Sequence, residues 1–416
     1  MKYALIGERL GHSLSASIHA RLASHPYELI ELSPEALPDF LAKRDFIGIN
    51  VTIPYKETVI PYLDEIDGRA REIGAVNTVI NRGGRLIGYN TDLDGLTALI
   101  LRTGVNPRGK RALVLGTGGT SKTAVTALSS LGAREVIRAS RTGREGALTY
   151  DEVYASYTDV EIIVNTTPVG MYPKTSGTPI SLSRFPRLLA VVDAIYNPLS
   201  TPLVLEARER GVAAVGGLYM LVRQAVRASE LFTSEKYEDG VTDTVYAELL
   251  RERESIALIG MPSAGKSTVG KILAERLGRA LIDTDTLIET RTGRAPGEII
   301  SDLGESAFRD IEAEAVSELA DSAGLVIATG GGVPLRPENL LNLRKNGRIV
   351  FLDRPLDELS VGPDRPLSSS KEALERLYNA RYGIYSAAAD IKITVSGTPD
   401  EVADSILSKL NECKLK

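Results

Sequence analysis

One run past the middle of the chain constrains it more than any other: Gly260-Met261-Pro262-Ser263-Ala264-Gly265-Lys266-Ser267-Thr268. It follows the apolar Ile256-Ala257-Leu258-Ile259 and precedes Val269, Ile272, Leu273 and Leu277 at helical spacing. A buried strand, a glycine turn and a helix form the setting in which GxxxxGK[ST] means a phosphate-binding loop. Glycines let successive backbone N–H groups converge on a polyphosphate at a helix N-terminus, Lys266 adds a mobile positive charge, and Ser267 offers a hydroxyl to Mg²⁺. A nucleotide site on Gly260, Gly265, Lys266, Ser267 and Thr268 is therefore expected. The plainer alternative, a turn that only links strand to helix, has the full spacing and both flanks against it.

The loop begins a domain, and at 416 residues the chain has room for two or three. Apolar content of 43% with 25% charge describes a globular protein with ample core. No apolar run reaches membrane-span length, and Met1 to Gly7 reads as a strand, so a cytoplasmic location is expected. The single cysteine, Cys413 in a polar tail, excludes an internal disulfide framework and a cysteine metal cluster. A net charge of −5 without a long basic run gives nucleic acid or an anionic membrane nothing to bind. His12, His19 and His25 all precede residue 30, so the phosphate-loop half must work without histidine.

Ahead of the loop, short strands alternate with helical patterns, which predicts an α/β sandwich. Ser33-Pro34 reads as an N-cap with proline at the first helical position, and a second helix is expected to open at Pro54. Arg111 to Leu115 followed by Gly116-Thr117-Gly118-Gly119-Thr120-Ser121 predicts a second mononucleotide site, of the Rossmann kind. The next strand ends at Ser140-Arg141-Thr142, with Arg144 beyond. An acidic residue there would suit a ribose 2′-OH, whereas arginine suits a 2′-phosphate, so NADP is favoured over NAD. Exposed loop arginines are the alternative. The charged run Arg251 to Glu254 places the boundary between the halves near Glu254.

Taken together, Gly11-His12-Ser13-Leu14-Ser15, Asn50 to Lys56, Gly74 to Thr78, Tyr89 to Asp92, Asn165 to Met171 and Gly217 to Gln224 make residues 1–254 resemble shikimate dehydrogenase. The resemblance implies a substrate lobe (1–102 with the helices near 216–250), an NADP-binding Rossmann lobe (103–215), and reduction of 3-dehydroshikimate by NADPH. Lys56 and Asp92 match the family's catalytic pair, with the proton's donor left open between them. Ser13, Ser15, Thr52, Asn77, Asp92 and Gln224 match substrate-binding positions; helix capping by the serines and turn bracing by Asn77 are simpler alternatives. Gly116, Gly118, Gly119, Thr120, Ser140, Arg141, Thr142 and Arg144 are the expected NADP contacts, although the family's second basic residue falls slightly later than Arg144. Tyr196, Gly217 and Met220 resemble the nicotinamide side, where Met220 read alone would be core filler. Serine stands at position 140 where the family usually has asparagine.

Residues 255–416 look like shikimate kinase, a P-loop domain with a parallel sheet flanked by helices. The phosphate loop is joined by Asp283-Thr284-Asp285, Phe308 to Glu312, Gly330-Gly331-Gly332, Asp364 to Leu367 and Arg381 to Asp390. The resemblance implies ATP and Mg²⁺ as cofactors, Lys266 on the phosphates, and Ser267 and Asp283 at the metal. It implies Asp285 on the acceptor hydroxyl, Arg309 and Arg381 on the substrate carboxylate, Gly331 and Gly332 against the substrate, and Arg365 closing over the phosphates. Alternation at a strand end is expected to point Asp283 and Asp285 the same way, with N-capping the plainer role for Asp285. The families catalyse consecutive steps, so one chain would make shikimate and then phosphorylate it. The rivals are a first half that prefers quinate and NAD, and one half kept only as a binding or regulatory module. Small-molecule substrates are the expected partners.

Overall fold

The computed structural model describes residues 3–11, 13–22, 26–360 and 370–412. The chain divides into two compact units, Met1–Asn197 with Thr201–Glu248 and Pro198–Ser200 with Leu249–Lys416.

The first unit holds two sheets. Strands β1 (Tyr3–Gly7), β2 (Tyr27–Glu31), β3 (Gly48–Val51), β4 (Glu65–Ile66), β5 (Thr78–Arg82) and β6 (Arg85–Tyr89) lie in the order β2-β1-β3-β5-β6-β4. β1 pairs in parallel with β2 and β3, while β3, β5 and β6 run antiparallel. The β5–β6 hairpin turns on Gly83 and Gly84, both at positive φ (60° and 88°), as a two-residue turn between right-twisted strands requires. Two expected helix starts fail here. Ser33 and Pro34 form a turn closed by the Ala36 N–H on Ser33 O, and the helix Leu37–Lys43 begins later with Pro38 in its first positions. After Pro54 comes a run of turns and then a 3₁₀ segment, Ile60–Tyr62. In both places proline's fixed φ suits a turn as well as a helix, and local turn bonds take the backbone groups.

The second sheet is wholly parallel: β7 (Arg111–Leu115), β8 (Glu135–Ala139), β9 (Ile162–Asn165), β10 (Ala190–Asp193) and β11 (Ala213–Val215), in the order β11-β10-β9-β7-β8. Along β7, Ala112 and Val114 join one apolar cluster and Leu113 and Leu115 another, the pattern of a strand covered on both faces. The order reverses between β7 and β9, so their carboxyl ends form the crevice where such sheets bind ligands. Helix Asp92–Arg102 lies against helix Leu218–Thr233 so closely that a Cβ on Gly95 would sit 2.7 Å from Met220 O.

The second unit carries β12 (Ser255–Ile259), β13 (Leu281–Asp283), β14 (Val326–Ala328), β15 (Gly347–Asp353) and β16 (Ile391–Thr394), parallel in the order β13-β14-β12-β15-β16. The phosphate-loop strand is thus central, fully buried, and flanked by strands on both sides. Among the described residues no helix is long and apolar enough to cross a membrane.

Candidate active sites

In the first unit Lys56, among the turns after β3, places Nζ 2.6 Å from Asp92 Oδ2. The side chains are 16% and 7% exposed, so the pair is shielded on most sides. Asp92 opens helix Asp92–Arg102, whose N-terminal N–H groups favour a carboxylate. Lys56 is tied down through its own carbonyl, which accepts from the Val76 N–H at 2.8 Å.

Around this pair lies a network of amides and hydroxyls. Asn77 accepts from the Thr91 N–H at Oδ1 (2.7 Å) and donates from Nδ2 to Thr91 Oγ1 (3.0 Å). Thr91 Oγ1 also lies 3.5 Å from Gln224 Oε1, and Gln224 Nε2 donates to Leu221 O at 2.8 Å. Asn50 donates to Thr78 Oγ1 (3.0 Å) and accepts from the Tyr27 hydroxyl (2.7 Å). Ser13 Oγ accepts from the Ser15 N–H at 3.2 Å and lies 3.1 Å from Ser15 Oγ, a local bond just ahead of helix Ser15–Leu22. Thr52, half-buried, packs its methyl over Gly7, where a Cβ would come within 2.6 Å. Thr52 therefore stands where the carboxyl ends of β1 and β3 meet, and Ser13 and Ser15 follow β1 in the chain. Asn50, Thr91 and Tyr27 are members that reading for chemistry missed; the first two stand inside the quoted motifs, and Tyr27 carries no motif.

The glycine turn after β7 lies next to this network. Gly116 has φ +116°, and a Cβ on it would lie 2.7 Å from Thr166 Oγ1, across the β7/β9 crevice. Gly118 precedes helix Gly119–Ser130, in whose first turn Thr120 is half-buried; Ser121, fully buried, donates to Gly116 O at 2.7 Å and so closes the turn. A Cβ on Gly119 would lie 3.5 Å from Ala75 Cβ and 3.9 Å from Lys56 Cβ. Arg141, Thr142 and Arg144 are exposed on the loop after β8, where Ser140 Oγ accepts from the Gly143 N–H at 3.1 Å. Gly217 N–H donates to Ile195 O (2.7 Å), pinning the helix that follows to the segment bearing half-buried Tyr196. Met220, 7% exposed, joins the apolar cluster of Leu93, Leu96 and Val192.

Beside this crevice Asp193 is wholly buried and accepts from Thr201 Oγ1 (2.6 Å), Ile195 N (3.0 Å) and Asn165 Nδ2 (3.0 Å). Burial pushes its carboxyl up to about 6 against those three donors. A separate cavity of about 550 Å³, lined by charged residues including Arg69, Arg223 and Lys236, contains none of the residues named for chemistry.

In the second unit the phosphate loop takes its turns at Gly260 (φ +148°), Ser263 (φ +66°) and Gly265 (φ +94°), and helix Lys266–Leu277 follows. Lys266 Nζ donates to Gly260 O (3.0 Å) and Met261 O (2.9 Å), holding the ammonium at the loop. Ser267 Oγ donates to Asp283 Oδ2 at 2.6 Å, and Thr268 is exposed beside it. The expected strand alternation at Asp283 and Asp285 is corrected. β13 ends at Asp283, whose Oδ1 caps helix Thr284–Thr292 by accepting from the N–H of Asp285 (3.0 Å) and Thr286 (3.3 Å). The capping role thus falls to Asp283, and Asp285 lies in the first helical turn.

Asp285 and Glu312 both reach Gly330. A Cβ on Gly330 would lie 2.6 Å from Asp285 Oδ1 and 2.9 Å from Glu312 Oε1. Arg309 donates to both Glu312 oxygens at 2.9 Å and to Glu305 Oε1 at 2.9 Å. A Cβ on Gly332 would fall 1.8 Å from Arg309 Nη1, so this glycine makes room for the guanidinium. Burial drives the fully enclosed Glu312 carboxyl above its usual range even with Arg309 beside it. Arg381, 6% exposed, donates to Gly331 O at 3.1 Å, and the Tyr385 hydroxyl donates to the same oxygen at 2.6 Å. Tyr385 was missed; its signal is its place one turn after Arg381 on helix Lys371–Ala388. Arg365 lies outside the described residues.

The fold and its two glycine loops thus define a dinucleotide-type oxidoreductase domain and a P-loop kinase domain in one chain. Residues 5–79 match the family model for the shikimate dehydrogenase substrate binding domain, and residues 262–411 match that for shikimate kinase. The chain is 34% identical over 264 residues to shikimate dehydrogenase (NADP(+)) of Clostridium perfringens, covering 59% of this chain and 97% of the relative. A solved chorismate mutase/shikimate 5-dehydrogenase fusion protein from Clostridium acetobutylicum is 34% identical, with a TM-score of 0.56 over 60% of this chain and 96% of its own. Shikimate 5-dehydrogenase from Thermus thermophilus, solved with NADP(H) and shikimate, is 32% identical with a TM-score of 0.54, covering 60% and 99%. The chain belongs to the shikimate dehydrogenase family and carries a shikimate kinase domain behind it: it is a bifunctional enzyme of the shikimate pathway. Membership sets the cofactors, NADP for the first domain and ATP with Mg²⁺ for the second.

Proposed function

We propose that residues 1–254 reduce 3-dehydroshikimate to shikimate with NADPH, and that residues 255–416 phosphorylate shikimate with ATP. The observation that carries the first half is the Lys56–Asp92 pair, 2.6 Å apart beside the dinucleotide turn. When bound, NADPH supplies the hydride. Lys56 and Asp92 then hold the proton for the carbonyl oxygen and spread the charge that develops on it. Asn77, Gln224, Thr52, Ser13 and Ser15 hold the substrate's carboxylate and hydroxyls with uncharged groups. Gly116, Gly118, Gly119 and Thr120 line the pyrophosphate turn, and Ser140, Arg141, Thr142 and Arg144 take the 2′-phosphate. Tyr196, Gly217 and Met220 border the nicotinamide.

In the second half Asp285 orients the acceptor hydroxyl, and Arg309 and Arg381 clamp the carboxylate, with Glu312 fixing Arg309. Gly331 and Gly332 let backbone approach the substrate, and Gly260, Gly265, Lys266 and Thr268 cradle the phosphates. Arg365 covers them. Ser267 Oγ and Asp283 Oδ2, adjacent hard oxygens, fit a Mg²⁺ that keeps most of its water. The metal, when bound, neutralises charge on the transferred group. We place the enzyme in the cytoplasm, with small-molecule substrates as its partners. The test is two assays on purified protein: NADP⁺ reduction with shikimate alone, then ADP release with shikimate, ATP and Mg²⁺. Both signals are expected; absence of either withdraws that half of the proposal.

A further inference from the structure

The sheet of the second unit dictates which way a nucleotide lies. The groups read for metal and acceptor, Asp283, Asp285 and Gly330 to Gly332, stand at the carboxyl ends of β13 and β14, on one side of the phosphate loop that follows β12. A polyphosphate seated in that loop, with its transferable end toward those groups, must run its nucleoside over the ends of β15 and β16. The chain is drawn tight there: a Cβ on Gly260 would lie 2.7 Å from Leu352 O, and Ser263 Oγ donates to Ser360 O at 2.9 Å.

Directly after β15 comes Arg354. One guanidinium nitrogen lies 3.9 Å from where a Cβ on Gly265 would be, beside the turn that opens the loop's helix. Its Nε is shielded from solvent and makes no hydrogen bond, and Nη1 is 3.9 Å from Glu358 Oε2, on a half-exposed carboxylate. The guanidinium therefore faces the phosphate cradle with most of its donors uncommitted. We propose that Arg354 is a nucleotide-binding residue of the kinase domain, donating to the polyphosphate from the nucleoside side of the loop. This rests on the ATP reading above.

The test is calorimetric titration of the full chain with Mg·ADP, with magnesium tripolyphosphate and with shikimate, comparing wild type, Arg354→Ala and Arg354→Lys. The urea-unfolding transition of the second unit, unchanged from wild type, reports that each variant is folded. A charge-assisted bidentate contact predicts a Kd for Mg·ADP raised about tenfold or more in the alanine variant, with partial recovery in the lysine variant. Tripolyphosphate should weaken in parallel, and shikimate should bind as before. An unchanged Mg·ADP affinity in Arg354→Ala overturns the assignment. So does a loss confined to ADP with tripolyphosphate spared, or an equal loss for shikimate. A wild type that binds no Mg·ADP instead removes the ATP reading itself.

Discussion

The groups around Lys56 and Asp92 are amides and hydroxyls bonded to one another, whereas those around Asp285 are guanidinium and carboxylate packed face to face. In the proposed reactions both sites hold the same hydroxylated acid. The neutral network distributes recognition over many modest bonds, and losing one leaves a single donor or acceptor unmet. The charged cluster concentrates it: Glu312 is wholly buried and depends on Arg309, so the cluster stands or falls together. A reducing site needs charge only at its proton-bearing pair. A kinase site must also order an anionic acceptor beside a polyphosphate, which calls for fixed cations.

The comparison breaks most visibly if the sites are not separate. Lys56→Ala should lower NADP⁺ reduction by about 10³-fold or more and leave ADP release from shikimate unchanged, with Asp285→Ala doing the reverse. Loss of both activities in either variant would contradict separate sites. Next in size is Arg309→Ala, which strands the buried Glu312 and should destabilise the second unit by about 3–5 kcal/mol in urea unfolding. Asp193 sharpens the contrast, because it is a carboxylate held by neutral donors alone. Its folded carboxyl titrates at about 6, above an unfolded value of about 3.9. The stability it contributes is full below about pH 4 and lost as pH rises through 6, about 3 kcal/mol in all. Asp193→Asn should therefore flatten the difference between unfolding curves at pH 4.5 and pH 7.5. Smallest is Asn77→Ala, expected to cost about 1–3 kcal/mol on the same measurement. A cost equal to that of Arg309→Ala would erase the distinction between the two sites.

Much of this was legible in the chain because glycine turns between an apolar strand and a helix leave little conformational choice. The phosphate loop with β12 before it, and the turn after β7 with that strand, follow from that pattern. Local hydrogen-bond competition was not legible. Ser33-Pro34 and Pro54 carry helix-start residues yet form turns, and Asp283 rather than Asp285 takes the cap. Long-range partners were also hidden: nothing near Tyr27 announces its bond to Asn50, and nothing near Gly332 announces that its missing side chain admits Arg309. Such contacts are made by the fold, not by neighbours in sequence.

The central claim is that one chain makes shikimate at one site and phosphorylates it at another. It is tested most directly by following NADPH loss and ADP release together, with 3-dehydroshikimate, ATP and Mg²⁺, on wild type and Lys56→Ala. Wild type should oxidise NADPH and then release ADP, and the variant should do neither until shikimate is added, whereupon ADP release returns to the wild-type rate. ADP release from 3-dehydroshikimate without NADPH, or a variant that added shikimate does not rescue, would contradict the account.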